Sequence, residues 1–255
     1  MRIQPGWLTN LSLDAPVVGT LWLALFAKVY RVPVGWELLW LLFSAIWLIY
    51  VVDRLVEWDY SLMKERHNFH QNHRKAFRIV AISVVITNLW MIWRYPLRHE
   101  FYGSAVIVGT GAVLYLLFSY TAKDSPAKEW GKNILVSILF AMGCTLPVWT
   151  ILVKEHRVTF SFAFEFFSLV LLILCNLRLI GADEADQKTF PKEVALAGFL
   201  ILMSAAIIRN QLTLVWILSL LLMTGVWFSR FSRFTRTAYD IALIIPAAAL
   251  YVLAG

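Results

Sequence analysis

Residues 38–57 read Leu38-Leu39-Trp40-Leu41-Leu42-Phe43-Ser44-Ala45-Ile46-Trp47-Leu48-Ile49-Tyr50-Val51-Val52-Asp53-Arg54-Leu55-Val56-Glu57. No charge interrupts the run from Leu38 to Val52, and then an acid, a base and a second acid arrive within five positions. Extended back to Val34, the run has the length of a helix crossing a bilayer, which takes roughly 17–25 mostly apolar residues. The pattern recurs along the chain at about 16–30, 34–52, 78–94, 103–120, 134–152, 158–176, 194–208, 212–228 and 239–254, giving nine spans. The first, seventh and last runs are short. Most connections are a few residues long, so successive spans are expected to pack as antiparallel neighbours in one bundle. The whole chain, 1–255, reads as a single domain without a Pro/Gly/Ser linker.

Composition agrees. Of 255 residues, 60% are apolar and 15% charged, against roughly 45–50% and 25% in soluble domains. Too little polar surface is available to cover a soluble fold, which excludes a soluble enzyme, a disordered chain and a secreted disulfide scaffold. The fold class is therefore all-α integral membrane. The formal charge of +7 is spread over short loops rather than gathered into a nucleic-acid patch. Cys144 and Cys175 each lie inside an apolar run, as buried small residues do. From Met1 to Asp14 there is no apolar core followed by a small-residue cleavage site, so a removable signal peptide is not expected.

The charges give an orientation. The N-terminus and the loops after spans two, four, six and eight hold 16 Lys and Arg, and the opposite side holds 7. The positive-inside rule places the N-terminus in the cytoplasm. Twelve of the 16 acids share that side, which the rule does not require. A polar site on that face is the simplest reason for charges of both signs.

Two acidic stretches stand out there. Asp53 and Glu57, at i and i+4, share one face if span two continues as a helix. Hard carboxylate oxygens of this kind suit Mg²⁺, held together with substrate phosphate oxygens; a solvated helix end with Arg54 as counter-charge is the plainer alternative. After span six comes Asn176-Leu177-Arg178-Leu179-Ile180-Gly181-Ala182-Asp183-Glu184-Ala185-Asp186-Gln187-Lys188-Thr189-Phe190-Pro191. Asp183 and Asp186 sit at i and i+3, flanked by Arg178 and Lys188. Two acidic clusters on one face look like the jaws of a diphosphate–magnesium site.

On these residues the chain resembles the UbiA superfamily of intramembrane prenyltransferases, which has nine spans and two cytoplasmic Asp-rich motifs after helices two and six. Leu13-Asp14-Ala15-Pro16-Val17-Val18-Gly19-Thr20-Leu21 resembles the family's opening. Tyr50 to Glu57 is similar to the second half of the first motif, Asn-Asp-x-x-Asp-Arg-x-x-Asp. Ser119-Tyr120-Thr121-Ala122-Lys123, then Asn133 and Gly143 to Trp149, resembles the Tyr-Thr-x-x-Lys loop and its following helix. Asp183 to Pro191 resembles the second motif. Ile49 and Tyr50 replace the family's leading Asn and Asp, which removes two oxygen donors, and the second motif is compressed to i, i+3.

The resemblance implies transfer of a prenyl group from a prenyl diphosphate to a lipophilic acceptor. Asp53, Glu57, Asp183 and Asp186 would be the catalytic, metal-holding set for Mg²⁺. Arg54, Lys123, Arg178 and Lys188 would neutralise the diphosphate, with Asn176 and Tyr120 adding hydrogen bonds. No nucleic-acid partner or obligate protein partner is implied. The expected location is a bacterial inner membrane, multi-pass, with the motif loops in the cytoplasm. Two other readings stand beside it: a catalytically inactive UbiA fold that binds lipid or a partner, and a small proton-coupled transporter using Glu37 or Glu165. His67, His70 and His73 recur every third residue, a stripe that drifts around a helix and suits an interfacial helix or substrate cap better than a metal site.

Overall fold

The structure is a computed structural model, and it describes residues 11–56, 69–70, 72–95, 97, 99–121, 126–185, 187, 189–208, 211–229 and 235–253. Among these residues there are nine helices and no strand: α1 (Asp14–Val29), α2 (Trp36–Val56), α3 (Arg74–Arg94), α4 (His99–Thr121), α5 (Pro126–Lys154), α6 (Phe160–Glu184), α7 (Lys192–Ile207), α8 (Gln211–Ser229) and α9 (Thr235–Leu253). Six of them, α2, α3, α4, α5, α6 and α8, are long and apolar enough to cross a membrane, which fits a multi-pass membrane protein. α9 is a shorter apolar helix. α1 and α7 have 16 residues each, about 24 Å of helix against a hydrocarbon core of about 30 Å. The first and seventh runs, short in the sequence, are the two shortest helices of the fold, whereas the last, also read as short, forms a helix of 19 residues, as long as α8.

Helix is the state these apolar runs must take if lipid surrounds them, because it satisfies every backbone group within the segment. α1 is the most enclosed element and packs against α2, α5 and α9, so that the last helix closes back on the first. Its Trp22, Leu23, Leu25 and Phe26 are all fully buried. α6 is the second hub, in contact with α5, α7, α8 and α9. α3 is the opposite case. It packs chiefly on α2 and turns Ile79, Ile82, Ile86, Leu89 and Trp93 outward, as a lipid-facing helix does.

Two helix ends depend on backbone geometry rather than on glycine. Arg31 and His156 adopt φ of 54° and 53°. Each reverses the chain so that the next amide donates back into its helix, Val32 to Ala27 and Arg157 to Leu152. Pro147 and Pro246 lie inside α5 and α9, as membrane helices tolerate when neighbours stabilise them.

Two boundaries differ most from the sequence reading, and the first is the start of α5 at Pro126, ahead of the apolar run expected from about 134. The apolar run of span six ends near residue 176, yet α6 continues to Glu184 because Leu179, Ile180 and Ala182 remain buried against neighbours. The acidic stretch after span six therefore starts on a helix, not in a loop. Both cysteines are free and buried, as expected.

Candidate functional site

The helical period sorts the residues of α2 onto two faces. Leu42, Ala45, Ile46, Ile49, Tyr50 and Asp53 recur every three or four positions and line a central cavity. Trp47, Val51 and Leu55 fall on the other side and pack with Phe77 of α3. The cavity has a volume of about 270 Å³ and is walled by α2, α4, α5 and α6. α4 contributes Val108, Ala112 and Tyr115, and α6 contributes Leu177, Ile180 and Gly181. α5 presents Glu129, Lys132 and Asn133, then Val136, Leu139, Phe140 and Gly143.

This distribution makes the cavity amphiphilic. At one end the Asp53 carboxylate accepts hydrogen bonds from Ser119 Oγ at 3.3 Å and from the Tyr115 hydroxyl at 3.5 Å. Tyr50, Glu129, Lys132 and Asn133 line the cavity as well. Away from these groups the walls are aliphatic and aromatic. A ligand with a charged head and an apolar tail matches that layout.

A second void, of about 20 Å³, adjoins the first and shares Tyr50, Val136, Phe140, Leu177 and Ile180 with it. Asp14, Asn176 and Asp240 border this void. Asn176 Nδ2 donates to Asp240 Oδ1 at 3.0 Å, and Asn176 Oδ1 has no hydrogen-bond partner among the described residues. The space is enough for one water molecule. Two buried carboxylates and an amide thus extend the polar end of the cavity toward α1 and α9.

The residues singled out in the sequence separate here. Asp53 lines the cavity. Arg54, one position on, points to the other side of α2, where its guanidinium donates to Ser12 Oγ, although it also lies 5.8 Å from the Tyr50 ring. Asn176 is in the adjoining void. Asp183 is half-buried in the last turn of α6, two residues beyond cavity-lining Gly181. Arg178 stacks on Trp130 at 4.8 Å and reaches Glu193 at 3.8 Å, so it holds α6 to α5 and α7. Tyr120 is exposed. Glu57, Lys123, Asp186 and Lys188 lie outside the described residues. Of the histidine stripe, His67 also lies outside; His70 is buried and stacked on Phe77, and exposed His73 hydrogen-bonds Phe69 O.

Glu129 and Lys132 were not among the expected site residues, and neither were Asp14 and Asp240. The signal for the first two was available. Glu129, Lys132, Asn133, Val136 and Phe140 recur at helical spacing, but the apolar run of span five, from about 134, begins after the three polar ones. Asp14 and Asp240 are single acids at the edges of short runs, and only the α1–α9 closure brings them together.

No family model, curated protein or solved structure matches the chain.

Glu165 occupies a different place. It is fully buried on α6, accepts a hydrogen bond from the Tyr30 hydroxyl, and does not line the central cavity. The Tyr30 ring packs edge-on against Phe162 at 5.1 Å. Tyr30→Phe keeps that ring contact and removes only the donor. It is expected to lower stability by about 1–3 kcal/mol, the cost of withdrawing a donor from a buried polar group. Thermal unfolding of the detergent-solubilised protein measures this, and an unchanged midpoint contradicts a structural role for the pair.

Proposed function

We propose that the chain is a membrane prenyltransferase of the UbiA type, moving a prenyl group from a prenyl diphosphate to a lipophilic acceptor. The observation that carries this reading is the cavity itself, with Asp53, Glu129, Lys132 and Asn133 gathered on apolar walls of four helices. A prenyl diphosphate has the same division, an anionic head on a hydrocarbon chain. In this reading all nine helices span the bilayer in a UbiA-like bundle. The N-terminus and the motif loops face the cytoplasm of a bacterial inner membrane, in keeping with the Lys and Arg asymmetry.

Asp53 and Glu129 are the carboxylates that line the cavity. Mg²⁺ is usually held by one or two carboxylates with phosphate oxygens completing its shell, and that donor set fits. Among the described residues no three His, Cys, Asp or Glu side chains form a closed protein cage, which an ion shared with substrate does not need. Glu57, Asp183 and Asp186 complete the set that the resemblance implies. When bound, Mg²⁺ neutralises charge on the departing diphosphate.

The side chains do the rest. Lys132 offsets phosphate charge, while Asn133 and Tyr50 offer hydrogen-bond donors. The bond between C1 of the prenyl chain and the diphosphate oxygen breaks, and its electron pair leaves with the diphosphate. The acceptor's nucleophile then bonds to C1, and its proton passes to solvent or diphosphate. Walls formed by Ile46, Ile49, Val136, Leu139 and Phe140 keep water from intercepting the allylic cation. The aromatic faces of Tyr50, Tyr115 and Phe140 favour that cation electrostatically.

Radiolabelled prenyl diphosphates of ten, fifteen and twenty carbons, incubated with Mg²⁺ and membranes containing the protein, test the proposal. The expected result is label in an extractable lipid, dependent on the protein and on Mg²⁺. No transfer and no binding at any chain length overturns it.

A further inference from the structure

The apolar part of the central cavity has a definite depth. On α2 its lining runs from Ile49, next to Tyr50, to Leu42, and on antiparallel α5 it runs from Val136, one turn past Asn133, to Gly143. Seven helical steps separate the ends of each stretch, about 10.5 Å at the helical rise. α6 lines the cavity only from Leu177 to Gly181, so the end remote from Asp53 belongs to α2, α4 and α5.

Two close approaches shut that end. A Cβ at Gly143 would stand 3.1 Å from Leu42 Cδ1. The Leu42 side chain therefore reaches across from α2 and rests on the α5 backbone. Both residues line the cavity, and they meet at the level where its lining stops. One turn nearer the polar end, a Cβ at Gly111 of α4 would fall 2.4 Å from Leu139 Cδ2, so α4 and α5 leave no gap between them there. Glycine at 143 is what gives Leu42 its resting place. Any larger residue would displace that side chain or fill the end of the cavity.

A prenyl chain grows in fixed increments. Each five-carbon unit adds four C–C bonds of about 1.5 Å, or about 5 Å of extended length. With the diphosphate among Asp53, Lys132 and Asn133, two units cover the apolar walls and a third meets Leu42. That third unit has to fold back or push the side chain aside, and closely packed side chains yield little room.

We infer that Leu42 and Gly143 form a floor that sets donor length, so that the chain takes a ten-carbon prenyl diphosphate in preference to longer ones. The inference rests on the prenyl-transfer reading and adds the length of the donor to it. Neither side chain carries a polar group, and both act by size alone.

Equilibrium binding of radiolabelled prenyl diphosphates of five, ten, fifteen and twenty carbons to the purified full-length protein with Mg²⁺ reads the outcome without an acceptor. Protein-free controls subtract partition into detergent. The ten-carbon diphosphate is expected to bind at least tenfold more tightly than those of fifteen and twenty carbons. Leu42→Ala should narrow the gap between ten and fifteen carbons at least fivefold. Gly143→Val should weaken the ten-carbon diphosphate at least tenfold and leave the five-carbon one within threefold. In the double variant the ten-carbon affinity should return to within threefold of the original, a recovery that general loss of packing does not produce. Leu42 is only half-buried, so Leu42→Ala decides the matter even if Gly143→Val does not fold. Equal binding from ten to twenty carbons, or a length preference that Leu42→Ala leaves unmoved, overturns the inference and sends the tail out past exposed Ala45 instead. No binding at any length ends the prenyl-transfer reading itself, so the two failures are distinct.

Discussion

Asp53→Asn is expected to lower kcat/KM for prenyl transfer by at least a hundredfold while leaving the protein folded. The substitution is nearly isosteric, and Asn still offers an oxygen to Ser119 and Tyr115, which donate to residue 53. Residue 53 is half-buried at the polar end of the cavity. What is lost is a negative charge beside the diphosphate, and with it a hard ligand for Mg²⁺. Removing one electrostatic element from a water-excluded site typically costs about 10²–10³ in rate. Lys132→Met should act in the same direction with a smaller effect, because Asn133 and Tyr50 still line the polar end of the cavity. The measurement is steady-state transfer with purified protein, paired with a melting curve. Full turnover by Asp53→Asn with an intact melt removes Asp53 from the chemistry.

How far the sequence reached follows from what each signal depends on. The helices were legible because a lipid-facing segment advertises itself locally: it must be apolar over its whole length, whatever it touches. Even the short elements α1 and α7 were visible as short runs. The helix ends were less clear. α5 starts at Pro126 and α6 runs to Glu184, since a helix entering the polar boundary can carry Glu129, Lys132 or Asp183 without leaving helical geometry. That is why Glu129 and Lys132 read as loop charges, although they line the cavity. Asp53 was legible because it breaks the α2 run abruptly. Arg54, its neighbour, sits about 100° further round the helix and belongs to the Ser12 and His70 side. Asp14 and Asp240 meet only through the return of α9 to α1, a contact between the two ends of the chain that no local pattern encodes.

Gly19→Leu is expected to damage stability and ligand binding together, and the reason joins the fold to the site. Gly19 lies on α1 where α2 and α5 come closest. A Cβ there would stand 2.4 Å from Ile46 Cδ1 and 3.2 Å from Phe140 Cζ. Cys144 Sγ also donates to the Gly19 carbonyl at 3.4 Å, so the α1 and α5 backbones cannot simply move apart. Ile46 is the flexible end of a side chain, and Gly19→Ala can be relieved by a rotamer change. Leu adds three more carbons, for which the Phe140 ring must also yield. Overpacking of this kind costs about 1–3 kcal/mol. Ile46 and Phe140 both line the central cavity, so the space into which they yield includes the ligand's. The variant should therefore melt lower and bind prenyl diphosphate at least tenfold more weakly, although residue 19 touches no ligand. Gly109, on α4, is the control, because a Cβ there meets nothing within 4 Å. Gly109→Leu should leave binding unchanged and raise helix stability slightly, since glycine is the poorer helix former by about 0.8–1 kcal/mol. If Gly19→Leu binds prenyl diphosphate as tightly as the unaltered protein, the ligand does not occupy the cavity that Ile46 and Phe140 wall.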